Sequence, residues 1–460
     1  MTQVSTHGAR ERHPLRVATA ALLASAIEWY DFLIYGTAAA LIFGTVFFPT
    51  ASPVAGVLAS FGTFAVGFVA RPFGGAIFGH FGDRIGRKRA LVVAVLMMAV
   101  ATVAIGLLPT YHAIGIWAPI ALLVLRVIQG IAVGGQWGGA MLLATESAPP
   151  GRRGLYGSFP QLGVPAGLVA GTVIYLLLTR ELSADAFSSW GWRIPFLLSV
   201  LTLPIALYIH RNVEDSAEFR AAETEERSGD RDPAKPSGLQ VIRRQPGTVL
   251  LAGLTCLAGQ AAFYIAVTGM IDYGTRELGI ARTTLLNSLL VSMAGFAIAM
   301  VLSAWLSDHV GRKPIYVLGS VALGGWGFAF FPLLATKHTW AIMVALLVLL
   351  ASIGMTLGPL PALFSEMFPP AVRYTGASLG YQLGAILGGG LAPFIMVAIL
   401  NSTHNAVWVS VYLAVAALVA VGAVLSIRLR PDGEHGAGLD HDSTPTTQAV
   451  STLPQHSGLR

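Results

Sequence analysis

The stretch GHFGDRIGRKR (79–89) decides how this chain is read. It sits between two long apolar runs and packs one acid, four bases and three glycines into eleven residues. A second version, SDHVGRKP, occupies 307–314. Asp83, Gly86, Arg87 and Lys88 recur as Asp308, Gly311, Arg312 and Lys313, each 225 residues later. Another echo is independent: Glu146, Pro149, Pro150 and Arg153 recur as Glu366, Pro369, Pro370 and Arg373, 220 residues on. After one inserted residue, Gln161, Leu162, Gly163 and Gly167 recur as Gln382, Leu383, Gly384 and Gly388. Two parallel repeats with a path between them account for both echoes.

Composition says what surrounds those turns. Of 460 residues only 11% are charged, against about 25% in soluble domains. The hydrophobic fraction is 54% and the mean hydropathy is +0.67. This excludes an ordinary soluble enzyme and a disordered protein. The single Cys256 excludes a disulfide scaffold. The basic residues fall in short clusters between apolar runs, which is a pattern of membrane orientation and not of a nucleic-acid groove. A crossing needs ~20 apolar residues. That rule gives about twelve spans, near 17–44, 54–79, 90–109, 115–144, 155–179, 192–210, 247–271, 283–306, 314–335, 339–365, 374–400 and 406–428. The first run follows Arg10, Arg12 and Arg16 but continues past Glu28 and Asp31 without a small-residue cleavage site, so it is read as a retained span.

With both ends in the cytoplasm, inside segments hold 22 of the 29 lysines and arginines and outside segments hold five. The remaining two, Arg71 and Arg126, lie within spans. The expected organisation is a cytoplasmic N-terminus (1–16), a six-helix bundle (17–210), a cytoplasmic linker (211–246), a second six-helix bundle (247–428) and a tail (429–460). The linker is read as carrying a short amphipathic helix. The tail, rich in Gly, Ser, Thr, Pro and His, is read as disordered and lacks an apolar heptad.

The repeated D-x-x-G-R-[RK] turn resembles that of the major facilitator superfamily. More narrowly, EWYDF (28–32), RPFGG (71–75), RVIQGIAVGGQWGGA (126–140) and WGWRIPF (190–196) resemble the metabolite:proton symporter family within it. The resemblance covers about 17–428. It implies an all-α membrane protein of two pseudo-symmetric six-helix halves, in the cell membrane, that takes up organic acids such as shikimate, 2-oxoglutarate or citrate, or zwitterions such as proline and betaine. It also implies a monomer whose partners are a small substrate, protons and the lipid bilayer.

Within the first span Glu28 and Asp31 share a helix face, which Tyr35 extends. An ionised group at mid-bilayer costs at least ~2.5–3.5 kcal/mol. A carboxyl poised between desolvation and a nearby cation can take a proton from one side and release it to the other. Both acids are therefore candidate proton-coupling groups, the alternative being a static ion pair. Arg126 shares roughly one face of the fourth span with Gln129 and Gln136. Its fork suits a carboxylate. Asp31 or Glu28 is expected to pair with it in the empty carrier, and a substrate carboxylate to compete when one arrives. A permanent structural pair is the alternative.

Arg71 precedes Pro72, which suggests a partly opened helix lining the cavity. It would recognise an anion or satisfy carbonyls freed by Pro72. Arg193 is read as reaching to the interface. Tyr35, Gln129, Gln136, Gln161, Gln260, Tyr264 and Gln382 complete the candidate substrate contacts, each also readable as an interhelical bond. The resembling family usually has glutamate where Gln136 stands, so this site cannot titrate here.

The resemblance gives the polar turns a gating role. Asp83 would sit near Arg373, and Asp308 near Arg153. Arg87, Glu146, Arg312 and Glu366 would complete two charge clusters, where a purely topogenic role would need only the cations. The G-x-x-x-G-x-x-x-G runs at Gly130–Gly138, Gly163–Gly171 and Gly380–Gly388 are read as close-packing surfaces on which the halves slide as they rock. No metal-ligand spacing, P-loop or hydrolase elbow is present, so no cofactor or metal is expected. The sequence reading is thus a proton-coupled organic-acid symporter working by alternating access, and not an enzyme. A proline/betaine symporter, a drug/proton antiporter and a receptor that has lost transport are the alternatives.

Overall fold

Both copies of the polar turn bend at a single glycine. The protein is described by a computed structural model over residues 14–50, 53–212, 243 and 245–427. In it Gly86 has φ 107° and Gly311 φ 103°. Side chains strain such a backbone and glycine does not. One residue therefore suffices to turn α2 (Pro53–Ile85) into α3 (Arg87–Leu107), and α8 (Arg282–Val310) into α9 (Arg312–Ala335).

The other elements are α1 (Pro14–Phe47), α4 (Trp117–Glu146), α5 (Arg153–Glu181), α7 (Pro246–Arg276), α10 (Thr339–Met367), α11 (Arg373–Thr403) and α12 (Val407–Ser426). Between α5 and α7, Ala184–Gly191 and Arg193–Ile209 form α6, bent by 41°. Among the described residues ten helices are long and apolar enough to cross a membrane, and bent α6 makes eleven. The 33-residue α2, about 50 Å long at 1.5 Å per residue, completes twelve helical segments. Large apolar side chains cover the outside: Phe73 is 64% exposed, Trp117 67% and Phe394 72%. In water such a surface would drive association; in a bilayer it is the solvated face.

Three expectations change. α6 begins near 184, not 192, because the segment before the WGWRIPF run is already helical. α2 runs unbroken through Pro72, so no opened turn surrounds Arg71. The glycine runs pack within each half. An added Cβ at Gly163 or Gly167 would strike Ser25, Ala26 and Tyr30 of α1, and at Gly384 or Gly388 would strike Gly253, Cys256 and Leu257 of α7. They fix α5 on α1 and α11 on α7 rather than forming a surface between halves. Gly130 and Gly134 likewise press α4 onto α2. Gly138 differs, since it meets Ser378 and Tyr374 of α11. The expected linker helix and tail fall outside the described residues.

Hydrogen bonds tie the first six helices to the last six along the end that carries both polar turns. Deeper in, Trp29, Phe32 and Phe68 meet Phe263 and Tyr264 across the same seam.

Candidate functional site

At the basic end, Asp83 closes one latch. Its carboxylate accepts from the backbone N–H groups of Tyr374 and Thr375, each at 3.1 Å, and from the Thr375 hydroxyl at 2.7 Å. These are orphan donors at the start of α11, where a negative charge is favoured. Asp308 does the same for α5, accepting from the N–H of Gly154 at 2.8 Å and Leu155 at 2.9 Å. Each half thus caps a helix of the other. Asp83 lies beyond the apolar span, and burial pushes its carboxyl up to about 7, opposed by the Thr375 hydroxyl, the Arg87 charge and the backbone donors.

Glu146 pairs with Arg87 and, at 3.0 Å, with Arg373. Arg312 is held by Asp308 at 2.5 Å and Glu366 at 3.1 Å. The expected neighbours are therefore present but the partners differ. Asp83 takes the N–H groups following Arg373, while the guanidinium of Arg373 goes to Glu146. Asp308 takes the two N–H groups following Arg153. The Tyr374 ring fills the seam, its hydroxyl donating to the Gly135 carbonyl at 2.8 Å.

Deeper in the bundle the structure gathers Glu28, Asp31 and Tyr35 of α1, Arg71 of α2, Arg126 and Gln129 of α4, and Tyr264 of α7. All are buried. The expected ion pair is absent: among the described residues no ion pair involves Arg71, Arg126, Glu28 or Asp31. Asp31 instead accepts from the Thr102 hydroxyl at 2.9 Å and the Ser199 hydroxyl at 2.8 Å. Gln129 donates to Thr102 Oγ1 at 2.7 Å and accepts from Arg126 Nη1 at 3.1 Å. Asp31 and Arg126 are thus joined through two neutral side chains rather than directly.

Both arginines rest on aromatic faces. The Arg126 guanidinium carbon lies 4.1 Å from the Tyr35 ring centre and 4.8 Å from that of Phe64. That of Arg71 lies 4.2 Å from Phe68 and 5.8 Å from Phe32. Ring faces offset part of the cost of desolvating a cation. Arg71 also hydrogen-bonds Tyr264 and lies in the field of Glu28. Arg126 Nε is buried without a partner among the described residues. Two guanidinium groups with no carboxylate in ion-pair contact share one cluster, and Arg126 Nε there is an unfilled donor for an anion.

Next to this cluster a pocket is lined by Trp29, Gln161, Val164, Gly259, Gln260, Phe263, Leu357 and Tyr381, and leaves room for about one water molecule. Gln161 accepts from Trp137 Nε1 at 3.1 Å and donates to the Leu357 carbonyl at 3.3 Å. Gln260 hydrogen-bonds Tyr381, whose ring stacks on Trp137 at 3.9 Å. Gln382 is buried with its Oε1 unpaired, and Gln136 is 1% exposed with neither amide atom paired among the described residues. Gln136 and Gln382 are not among the pocket-lining residues. Arg193 donates to the carbonyls of Gly106 at 2.8 Å and Leu108 at 2.7 Å, at the end of α3.

Thr102 and Ser199 were not singled out from sequence. A lone Thr or Ser in a span usually bonds its own helix, as Thr102 does to Met98 O at 2.9 Å, so neither carries a visible signal.

Helical halves latched at one end around buried acids and arginines define a transporter of the major facilitator type, not an enzyme. The model of the sugar (and other) transporter family matches residues 17–427, and the chain belongs to that family. It is 41% identical over 415 residues to the inner membrane metabolite transport protein YhjE of Escherichia coli (strain K12), covering 89% of this chain and 93% of that one. It is 38% identical to the shikimate transporter of the same organism, covering 90% and 94%. To that organism's proline/betaine transporter it is 32% identical, covering 88% and 82%. Among solved structures, a proton:xylose symporter of the major facilitator superfamily, bound to 6-bromo-6-deoxy-D-glucose, superposes with a TM-score of 0.72 at 17% identity, covering 90% of this chain and 94% of that one. This likeness is one of fold.

Proposed function

We propose that this transporter is a proton-coupled symporter that takes up a small organic acid by alternating access. One observation carries the reading: Arg71 and Arg126 are buried on aromatic rings in one cluster, with no carboxylate in ion-pair contact. A buried cation left unpaired is costly, and a substrate carboxylate would offset that cost on arrival. Glu28 and Asp31 in the same cluster are the proton carriers of this reading. Gln161, Gln260 and Tyr264 supply the neutral contacts, and the 38% identity to a shikimate transporter supports a carboxylate cargo. A zwitterion such as proline would bring a cationic nitrogen into a site that already holds two guanidinium groups, which makes it the second reading.

The two bundles are taken as 17–210 and 247–428. The basic end is taken as cytoplasmic, in the plasma membrane, because 22 of 29 basic residues then lie inside. The state described is then closed to the cytoplasm. The deciding experiment follows proton movement in proteoliposomes offered shikimate, 2-oxoglutarate, citrate, succinate, proline or betaine. Alkalinisation outside with one acid, lost in Asp31→Asn or Glu28→Gln, is the expected result. Silence with every compound, in correctly inserted protein, would overturn it.

A further inference from the structure

Asp31 is joined to Arg126 by a chain whose middle member can turn. As a carboxylate, Asp31 accepts from Thr102 through Oδ2 and from Ser199 through Oδ1. Thr102 Oγ1 accepts in turn from Gln129 Nε2, and Gln129 Oε1 accepts from Arg126 Nη1. The Thr102 hydroxyl has one proton and two acceptors, Asp31 Oδ2 and Met98 O, both at 2.9 Å. A hydroxyl proton rotates to suit, and its oxygen can accept two hydrogen bonds while donating one.

We propose that Thr102, acting with Gln129, is the positioning relay that transmits the protonation state of Asp31 to Arg126. A proton from the aqueous side binds Asp31 Oδ2, which becomes a donor to Thr102 Oγ1. The Thr102 proton swings to Met98 O. The one bond formed is the O–H on Asp31 Oδ2, its proton coming from the aqueous side, and the Thr102 hydroxyl and Asp31 Oδ2 stay hydrogen-bonded in both states. What changes is charge: the chain that ended on an anion now ends on a neutral acid, and Arg126 is left to bind a carboxylate. Protonation and anion binding then favour each other, and the coupling is reciprocal. A direct ion pair would need the side chains to separate first; the relay needs one hydroxyl rotation.

Other groups face Asp31. Glu28 and Tyr30 lie on its own helix, and Arg126 acts from α4 through its charge. Arg71 of α2 acts on Glu28, and Tyr175 of α5 donates to the Ile34 carbonyl at 2.9 Å. Among the described residues, the Thr102–Gln129 chain is the hydrogen-bonded connection from Asp31 to a guanidinium.

The inference rests on the proton-coupled reading. The test is the ratio of KM at high and low pH for radiolabelled shikimate, or for whichever acid of the panel gives the strongest alkalinisation. Wild type should bind several-fold better at low pH. Thr102→Val should bring the ratio to about one, Gln129→Leu should do the same, and the double variant should be no flatter. Thr102→Ser should retain the wild-type ratio. Ser199→Ala also removes one hydrogen bond to Asp31, but it leaves the chain intact and should keep the ratio. Equal effects of Thr102→Val and Ser199→Ala, or a wild-type ratio in Thr102→Val, overturn the relay alone. A wild-type ratio in Asp31→Asn, or no uptake of any panel acid by the wild type, overturns the proton-coupled reading and the relay together. If Thr102→Val does not fold, Gln129→Leu against Ser199→Ala makes the same discrimination.

Discussion

Asp83 caps the helix that begins beside Thr375, and the two residues belong to opposite halves of the molecule. The carboxylate takes both the N–H and the hydroxyl of Thr375. A helix end that would otherwise be satisfied by its own chain is satisfied by the other half, so separating the halves uncovers it. A hydrogen bond contributes about 0.5–1.5 kcal/mol net of exchange with water. Asp83→Ala removes all of these acceptors and should therefore shift the protein toward opening at the basic end. Faster alkylation of a cysteine placed at Ser378 would register it, and an unchanged rate would show that the latch does not depend on this cap.

The same carboxyl gives a pH dependence. Its value is raised from 3.8 to about 7 by burial in the closed latch. A raised carboxyl favours the closed form below about pH 4, and that advantage is lost as the pH rises through about 7. Protection of the Tyr374 and Thr375 amides from hydrogen exchange, corrected for intrinsic rate, should thus be greater near pH 5.5 than near pH 8. Asp83→Asn should abolish the difference.

Glu146 holds two guanidinium groups, those of Arg87 and Arg373. Breaking a buried pair by removing one partner costs about 3–5 kcal/mol. Glu146→Gln should lower the melting temperature in detergent clearly below that of the wild type. An unchanged melting temperature would show that Glu146 does not hold the halves together.

Gly82 leaves no space for a side chain. A Cβ there would overlap the Tyr374 ring, whereas at Gly62 it would meet nothing within 4 Å. Gly82→Ala should hold the basic end apart and slow transport severely, while Gly62→Ala should leave it near wild type.

Arg126→Lys keeps the charge but loses the planar fork and its broad contact with Tyr35. An ammonium on a flexible stem cannot reproduce either. The KM for the transported acid should rise about 10–100-fold, the equivalent of one or two charge-assisted contacts. A KM within twofold of wild type would remove Arg126 from the substrate site.

Much of the fold was legible because membrane helices announce themselves by length and their ends by charge. The paired turns at Gly86 and Gly311 and the cluster of Glu28, Asp31, Arg71 and Arg126 were readable for that reason. What the sequence did not show was partner choice. Arg126 is expected to touch Asp31 or Glu28, since opposite charges buried together usually do; Thr102 and Gln129 stand between it and Asp31. Spacing put the glycines on packing faces but could not say which helix each face meets, and Gly163 and Gly384 turned out to bind helices of their own half. Pro72 suggested a break that α2 does not make.

The buried charges have one last consequence, for electrical behaviour. Among the described residues, the four ionisable acids and bases buried at mid-span all lie in the first six helices: two acids, Glu28 and Asp31, and two bases, Arg71 and Arg126. Fully ionised, they sum to zero. An empty carrier that reorients in this state moves no net charge across the bilayer, and one carrying a monocarboxylate with one proton moves none either. Voltage would then be nearly idle for a monoanion. For a dianion it would oppose uptake with a single proton and become indifferent with two. Currents recorded at several holding potentials would therefore count the protons moved with each molecule of acid.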